Sequence, residues 1–353
     1  MKPGLLPRTL TAGLIAAALM VASAGAQTLD KVSFGTNWLP EGEQGGFFQA
    51  LADGTYKQYG LDVTIVPGGP NDNNRMQLIA GKLDFFLSAN TLQSFDAVAN
   101  KVPVVEIAAM FQKDPQVFLT HPESKVAKLE DLKPLTLFVS KEGIASYFQW
   151  LKSEYKFSED KVRPYTFNSQ PFIADKQSAM QGYVTSEPYA VEQAAKFKPG
   201  VLLLADYGFN AYSTLIETRS DLIDKKPDLV QRFVDASIIG WYHYLYGDNA
   251  PGNAIIKKLN PEMTDEMLAY SVSKLKEYGI VDSGDTLKDG IGAMSDQRVA
   301  SFFEKMVRAG VVHSDIDFRK GYTLRFINKG VGLDLRPKNQ STNQSTNQST
   351  NQP

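Results

Sequence analysis

KVSFGTNWLPEGEQGGFFQALADGTYKQYGLDVTIVPGG, residues 31–69, carries a strand, a helix and a second strand in one run. KVSFGTNW (31–38) has the β-branched and aromatic content of a strand. Residues 46–59 repeat apolar side chains at helical spacing, with Gly60 where a helix C-cap belongs. LDVTIVPGG (61–69) then sets Leu61, Val63 and Ile65 on one strand face. Two strands joined by one helix pair side by side in parallel, so this stretch predicts an α/β fold.

The alternation continues on both sides of a break. Residues 74–81 read as helix, LDFFLSAN (83–90) as strand, 92–100 as helix and VPVVEIAAMFQ (102–112) as strand. QVFLTHPES (116–124) reads as a strand leading elsewhere, after which the pattern restarts. LTLFVS (135–140) precedes a helix with Ile144, Tyr147, Phe148, Leu151 and Tyr155 on one face. Then come VRPYTF (162–167), a helix predicted to run to Gly182, YVTSEP (183–188) as a strand, and VLLLADYG (201–208). YSTLIETR (212–219) offers a returning strand, and Leu229, Val230, Phe233, Val234, Ile238, Trp241 and Leu245 mark one long amphipathic helix. Thr264 is placed to cap a helix ending near Gly279, and Ser295 one ending near Gly310. The expected organisation is a first lobe of residues 27–117 plus 211–337 and a second of 118–210, joined by two crossovers that form a hinge.

The termini speak to location. Lys2 and Arg8, the apolar run TAGLIAAALMVA (11–22) and Ala24-Gly25-Ala26 have the layout of a cleavable signal peptide over residues 1–26, too short to span a membrane. The chain has no cysteine, which excludes disulfides, thiolate zinc sites, cysteine nucleophiles and a lipidated cysteine. Export without a lipid anchor predicts a periplasmic protein. Against 39 acidic residues there are 37 basic ones, and losing Lys2 and Arg8 leaves 35, which takes the formal charge from −2 to −4. So mild a balance argues against nucleic acid as a partner. From Lys338 the tail repeats Asn-Gln-Ser-Thr without an apolar residue and is expected to be disordered.

Catalytic and metal patterns are missing. The three histidines, His121, His243 and His313, lack zinc spacing, and no P-loop, G-x-S-x-G or G-x-G-x-x-G occurs. No metal and no cofactor is expected. Instead, polar and aromatic residues fall just after strands, at the sheet rims where α/β proteins bind ligands. Asn37, Trp38, Asn90 and Phe111 do so in the first half, and Ser140, Asn168, Glu187 and Tyr189 in the second. Glu41 and Gln44 extend the first rim. Rings stack a flat heterocycle, while amides and carboxylates fix its orientation. Each has a plainer use: Trp38 as packing, Asn90 as a helix cap, Glu187 before Pro188 as complement to a helix N-terminus. Glu43 reads as a solvated loop carboxylate, and Gly45 and Gly46 as giving the backbone room at the cleft.

NWLPEGEQGGFFQALADGTYKQYGLDVTIVPGG followed by LIAGKLDFFLSAN resembles the NMT1/THI5-like (thiamine-pyrimidine type) substrate-binding proteins of ABC importers. The likeness runs from about Lys31 to Lys338. It implies a two-lobed periplasmic-binding-protein fold of type II, a pyrimidine ligand, an inner-membrane permease as partner and a monomeric protein without enzymatic activity. It also implies that Trp38 is the pocket tryptophan and that Glu187 in TSEPYA accepts hydrogen bonds from the aminopyrimidine. Family enzymes of pyrimidine synthesis carry a histidine where this chain has Gln44, and a cysteine-containing motif that this chain lacks. Two other readings stay open: a binding protein for an alkyl sulfonate or other small anion held by the helix start at Ser140–Ala145, and a pyrimidine-synthesis enzyme.

Overall fold

Strands β1 (Asp30–Gly35) and β2 (Leu61–Val66) lie parallel in full register, from Asp30 against Leu61 to Gly35 against Val66. The computed structural model describes Met1, residues 28–70 and residues 73–338. The export signal and the polar tail therefore lie outside the described residues, apart from Met1 and Lys338. Among the described residues, no helix is long and apolar enough to cross a membrane.

β3 (Phe85–Asn90), β4 (Val104–Phe111) and β10 (Ser213–Arg219) complete a sheet of order β2-β1-β3-β10-β4. The second sheet is β7-β6-β8-β5-β9, built from β5 (Gln116–Thr120), β6 (Thr136–Val139), β7 (Val162–Pro164), β8 (Ser178–Tyr183) and β9 (Gly200–Leu203). Each sheet takes in one strand that has just crossed from the other. β5 runs antiparallel to β8 and β9, and β10 antiparallel to β3 and β4. A chain arriving at the cleft end must run away from it, which reverses its direction relative to strands that climb toward the rim. Two mixed five-stranded sheets flanked by helices, linked in this way, make the two-lobed type II architecture.

Three expectations need correction. The helix read over residues 46–59 is broken in two, a helix (Gly45–Ala52) preceded by a 3₁₀ turn (Gly42–Gln44) and then a short turn of helix (Thr55–Gln58). Asp53 makes the break, accepting from the backbone N–H and the hydroxyl of Thr55 at 2.9 and 2.6 Å. The helix expected to reach Gly182 stops at Ala174, and SAMQGY (178–183) is strand β8. β8 lies between β5 and β6, and Ser178–Gly182 are buried in unbroken succession, so both faces are covered and the polar alternation of a half-exposed strand is lost. Residues 183–188 are correspondingly not a strand of their own, since Glu187 already begins a helix (Glu187–Ala195).

Gly45 and Gly46 do not open the cleft. They let their helix lie against the long helix Pro227–Tyr246 of the same lobe. A Cβ at Gly45 would stand 2.1 Å from the Tyr244 ring, and one at Gly46 2.3 Å from the indole of Trp241. Trp241 cannot yield, because Phe47 and Phe111 press on it edge-on at 5.9 and 5.5 Å. Gly46→Ala should therefore cost about 1–3 kcal/mol through overpacking, read as a lower urea midpoint with an unchanged slope.

Candidate functional site

The chain passes between the lobes at residues 112–115 and again at 204–212, and the lobes meet along a seam beyond these crossovers. Lobe 1 contributes the loop after β1. Thr36 Oγ1 donates to Trp38 O at 2.9 Å and accepts from Gly68 N at 2.9 Å, which ties this loop to the one following β2. Lobe 2 contributes the segments after β7 and β8. Trp38 meets Phe167 there, with ring centroids 5.1 Å apart, and Phe167 meets Tyr165 at 5.5 Å. Phe167 is 52% exposed and has a φ of +60°. A large residue held in that backbone region costs on the order of 1 kcal/mol, a strain that concentrates at binding sites.

Beside the aromatic row sit three carboxyls. Glu187 Oε2 accepts from Tyr183 N and from Ser186 Oγ, each at 2.7 Å. It can reach them because position 182 is glycine, where a Cβ would lie 2.7 Å from Glu187 Cβ. Glu43, 4% exposed, accepts from the hydroxyl of Thr185 across the cleft. Ser271, on the helix Asp265–Glu277, donates to Thr185 O at 2.7 Å, so lobe 1 grips Thr185 from two sides. Glu41 completes the group. Burial pushes Glu41 well above the usual carboxylate range, with Glu43 and Glu187 adding to it and a hydrogen bond to Trp38 opposing it. Burial raises Glu43 and Glu187 too. Among the described residues, no group of histidines and carboxylates is arranged to hold a metal.

The other expected site residues divide. Ser140 accepts from Gly143 N at 3.1 Å, while its own N–H donates to Gln181 Oε1 at 2.6 Å. Tyr147 donates to the same Gln181 oxygen at 2.9 Å, so the helix start is occupied from within the lobe. Asn90 caps its helix through Leu92 N at 3.1 Å and donates to Asp114 at 3.1 Å. Gln44 is buried, and its Oε1 accepts from Glu41 N at 2.9 Å, fixing the loop that carries both glutamates. Phe111 is fully buried against Trp241. Tyr189 packs on Tyr270 at 5.3 Å, and Asn168 is exposed, its carboxamide accepting from Gln170 N at 2.9 Å. Asn37 is half-buried at the start of the rim.

Glu43 corrects the sequence reading, for it is enclosed and bonded to the opposite lobe. Phe167, Tyr165, Tyr183 and Thr185 were missed. The signal available for Phe167 was its place one residue beyond Thr166 at the exit of β7, the same rim logic that selected its neighbour Asn168. Two histidines are spoken for: His121 Nε2 bonds Phe172 O at 2.7 Å inside lobe 2, and His243 Nδ1 bonds Asp53 at 2.8 Å.

Comparison with known proteins agrees with this architecture. A family model described as NMT1/THI5 like matches residues 42–248, more than half of the chain. The chain is 24% identical over 310 residues to the riboflavin-binding protein RibY of Chloroflexus aurantiacus, spanning 86% of this chain and 88% of that one. It is 25% identical over 329 residues to the 4-amino-5-hydroxymethyl-2-methylpyrimidine phosphate synthase THI11 of Saccharomyces cerevisiae, spanning 84% and 83%. Among solved structures, the periplasmic aliphatic sulphonate binding protein SsuA of Escherichia coli superposes with a TM-score of 0.62 at 13% identity, covering 82% of this chain and 91% of that one. That last likeness establishes the fold.

Because the folded pKa of Glu41 is raised, its contribution to stability is greatest at low pH and is lost as pH rises through the folded value. Glu41→Gln should therefore raise the melting temperature of the ligand-free protein at pH 8, and the gap to wild type should close toward pH 4. Calorimetric melts across that range check the sign.

Proposed function

Because the chain belongs to the NMT1/THI5-like family, we propose that it is the periplasmic solute-binding component of an ABC importer. In this reading it is a non-enzymatic monomer whose two lobes, expected as 27–117 plus 211–337 and 118–210 but with β5 (Gln116–Thr120) whole in the second because it pairs with β8 and β9, close on a small planar heterocycle. The solute is of the aminopyrimidine kind, and the protein delivers it to an inner-membrane permease. The observation that carries the proposal is the pairing of a cross-lobe aromatic row, Trp38–Phe167–Tyr165, with the buried carboxyls of Glu41, Glu43 and Glu187. Rings offer a stacking face, and a carboxyl accepts from an exocyclic amine and, in the protonated form that burial favours, donates to the ring nitrogen beside it. Closure is then driven by contacts that exist only when both lobes meet the solute.

A flavin is the second reading, favoured by the likeness to a riboflavin-binding protein over 86% of this chain. It uses the same stacking row and presents one ring N–H to the carboxyls. An oxyanion fits the geometry less well. Three acidic side chains line the seam, and at the helix start Ser140 N–H is given to Gln181 and Gly143 N–H to Ser140 Oγ. The enzyme reading is disfavoured because the chain has no cysteine and carries Gln44 where the family's pyrimidine-synthesis enzymes carry a histidine.

A thermal-shift panel on mature protein separates these readings. It should include 4-amino-5-hydroxymethyl-2-methylpyrimidine, riboflavin, taurine and inorganic sulfate. A solute at 100 times its Kd adds about 2.7 kcal/mol of stability, several degrees for a chain of this size. Stabilisation by the pyrimidine, with none by sulfonate or sulfate, is expected; a shift by taurine alone refutes the heterocycle reading. Trp38→Ala and Glu187→Gln should each weaken the productive solute at least about tenfold, equivalent to about 1.4 kcal/mol.

A further inference from the structure

Among the described residues, two carboxyl oxygens are fully buried without a partner, Glu43 Oε2 and Glu106 Oε2. Glu106 lies inside the first sheet beside Glu217, where Ser88 donates to its other oxygen at 2.6 Å. Glu43 lies at the seam between the lobes. Its Oε1 is bound by Thr185, two residues before Glu187, and the serine between them gives its hydroxyl proton to Glu187. Tyr183 N–H also goes to Glu187 Oε2, so lobe 2 has spent its nearby donors. Lobe 1 adds no side-chain donor, because Ser271 donates to Thr185 O, and the Glu43 backbone N–H and the Ser186 hydroxyl, which help to lower the Glu43 pKa, still leave Oε2 without a partner. A buried acceptor left without a donor is costly, and more so when charged, and this one lies where the two lobes meet.

We propose that Glu43 is a second solute-reading carboxyl, set across the closed cleft from Glu187, and that it selects solutes presenting hydrogen-bond donors at two edges. In the absence of such a solute, its free oxygen takes a proton from water when the lobes close. This rests on reading the cleft as a heterocycle site. The pairing divides the labour between the lobes. Glu187 is anchored within lobe 2 by bonds that both fall on Oε2, while Glu43 rides on the lobe 1 loop that also carries Trp38. A solute with one donor edge satisfies one lobe. A solute with two completes the acceptor sets of both, which sets an aminopyrimidine with its amine and hydroxymethyl groups apart from a ring with a single N–H.

The charges around Glu43 favour this role. Facing it are Glu41 from its own loop, Glu187 and Tyr183 from lobe 2, and Tyr244 from the long helix, while the helix Asp265–Glu277 brings only the Ser271 hydroxyl. Burial raises the Glu43 carboxyl, the Thr185 hydrogen bond opposes this, and Glu187 adds to the rise. A carboxyl whose pKa is higher in the closed form favours closure below its open-state value. That preference is lost as pH rises through the closed-state value.

The test has two arms. In ligand-free protein, the closed fraction is measured at pH 8 and pH 5 from the distance between a label on each lobe. Wild type should shift toward the closed form as pH falls, by about tenfold in the closed-to-open ratio for each unit by which closure raises the pKa. Glu43→Gln, which keeps an acceptor for Thr185 and needs no proton, should be more closed at pH 8 and respond less to pH. In the second arm, titration calorimetry with 4-amino-5-hydroxymethyl-2-methylpyrimidine and with lumiflavin, a flavin ring whose one donor is its ring N–H, should show Glu43→Gln weakening the pyrimidine at least tenfold and lumiflavin less. If the variant follows wild type in both pH response and affinity, the proposal is overturned while the heterocycle reading stands. If neither solute binds wild type yet the ligand-free proteins differ as described, the functional reading fails and Glu43 keeps its role as the cleft's open acceptor.

Discussion

Everything the cleft does depends on two strands of backbone held by one arginine. Arg298, on the helix Asp296–Arg308, donates to Gln112 O in the first crossover and to Asn210 O (3.2 Å) and Ala211 O (3.5 Å) in the second. Its guanidinium also lies over the Tyr212 ring at 4.0 Å. Only a planar fork with several donors serves that many carbonyls at once, and a lysine cannot. Seven residues on, Lys305 donates to Gly208 O and, at 3.1 Å, to Asn210 Oδ1. One C-terminal helix thus fixes both crossovers as a unit. Irregular segments leave carbonyls unpaired, and here side chains supply the missing donors.

That hold gives the cleft rim its meaning. With the crossovers fixed, lobe motion reduces to rotation about them, so residues such as Trp38 and Phe167 can meet while residues beside the hinge barely move. Asp114 belongs to this fixed part. It accepts from Gln116 N at 3.0 Å and from Asn90 at 3.1 Å, and burial raises its pKa to about 6. Asn90 therefore works as helix cap and hinge brace at once, which explains why a rim position need not be a ligand contact.

The fold was legible because its strands announce themselves. LDVTIV keeps a polar outer face on edge strand β2, and the βα alternation on either side of residue 116 is a local pattern. β8 escaped because a strand buried from both sides carries no alternation, and its Gln181 and Gly182 resemble helix or turn residues. The site was half legible. Trp38, Glu41 and Glu187 sit where strand ends predict them. Glu43 was misjudged because its burial comes from Thr185, 142 residues away along the chain, a partner that no local window contains. Gly45 and Gly46 were misjudged for the same reason: the indole and phenol they accommodate belong to a helix nearly 200 residues downstream.

In the function proposed above, the protein must close on its solute and stay open without it, and the acidic cleft would supply both halves of that requirement. Closing it empty brings three carboxyls together in a poorly solvated space and leaves an acceptor on Glu43 without a donor, each of which costs free energy. The Thr185 bonds and the Trp38–Phe167 contact return some of it, so the empty closed form is disfavoured without being forbidden. A solute shifts the equilibrium only by its differential affinity for the two forms. A donor-bearing heterocycle has a large differential here, because the acceptors it meets are hydrated when the cleft is open and unsatisfied when it is closed. The groups that penalise empty closure are thus the ones that recognise the solute, and release to a permease requires only that the lobes be drawn apart and water return to the carboxyls.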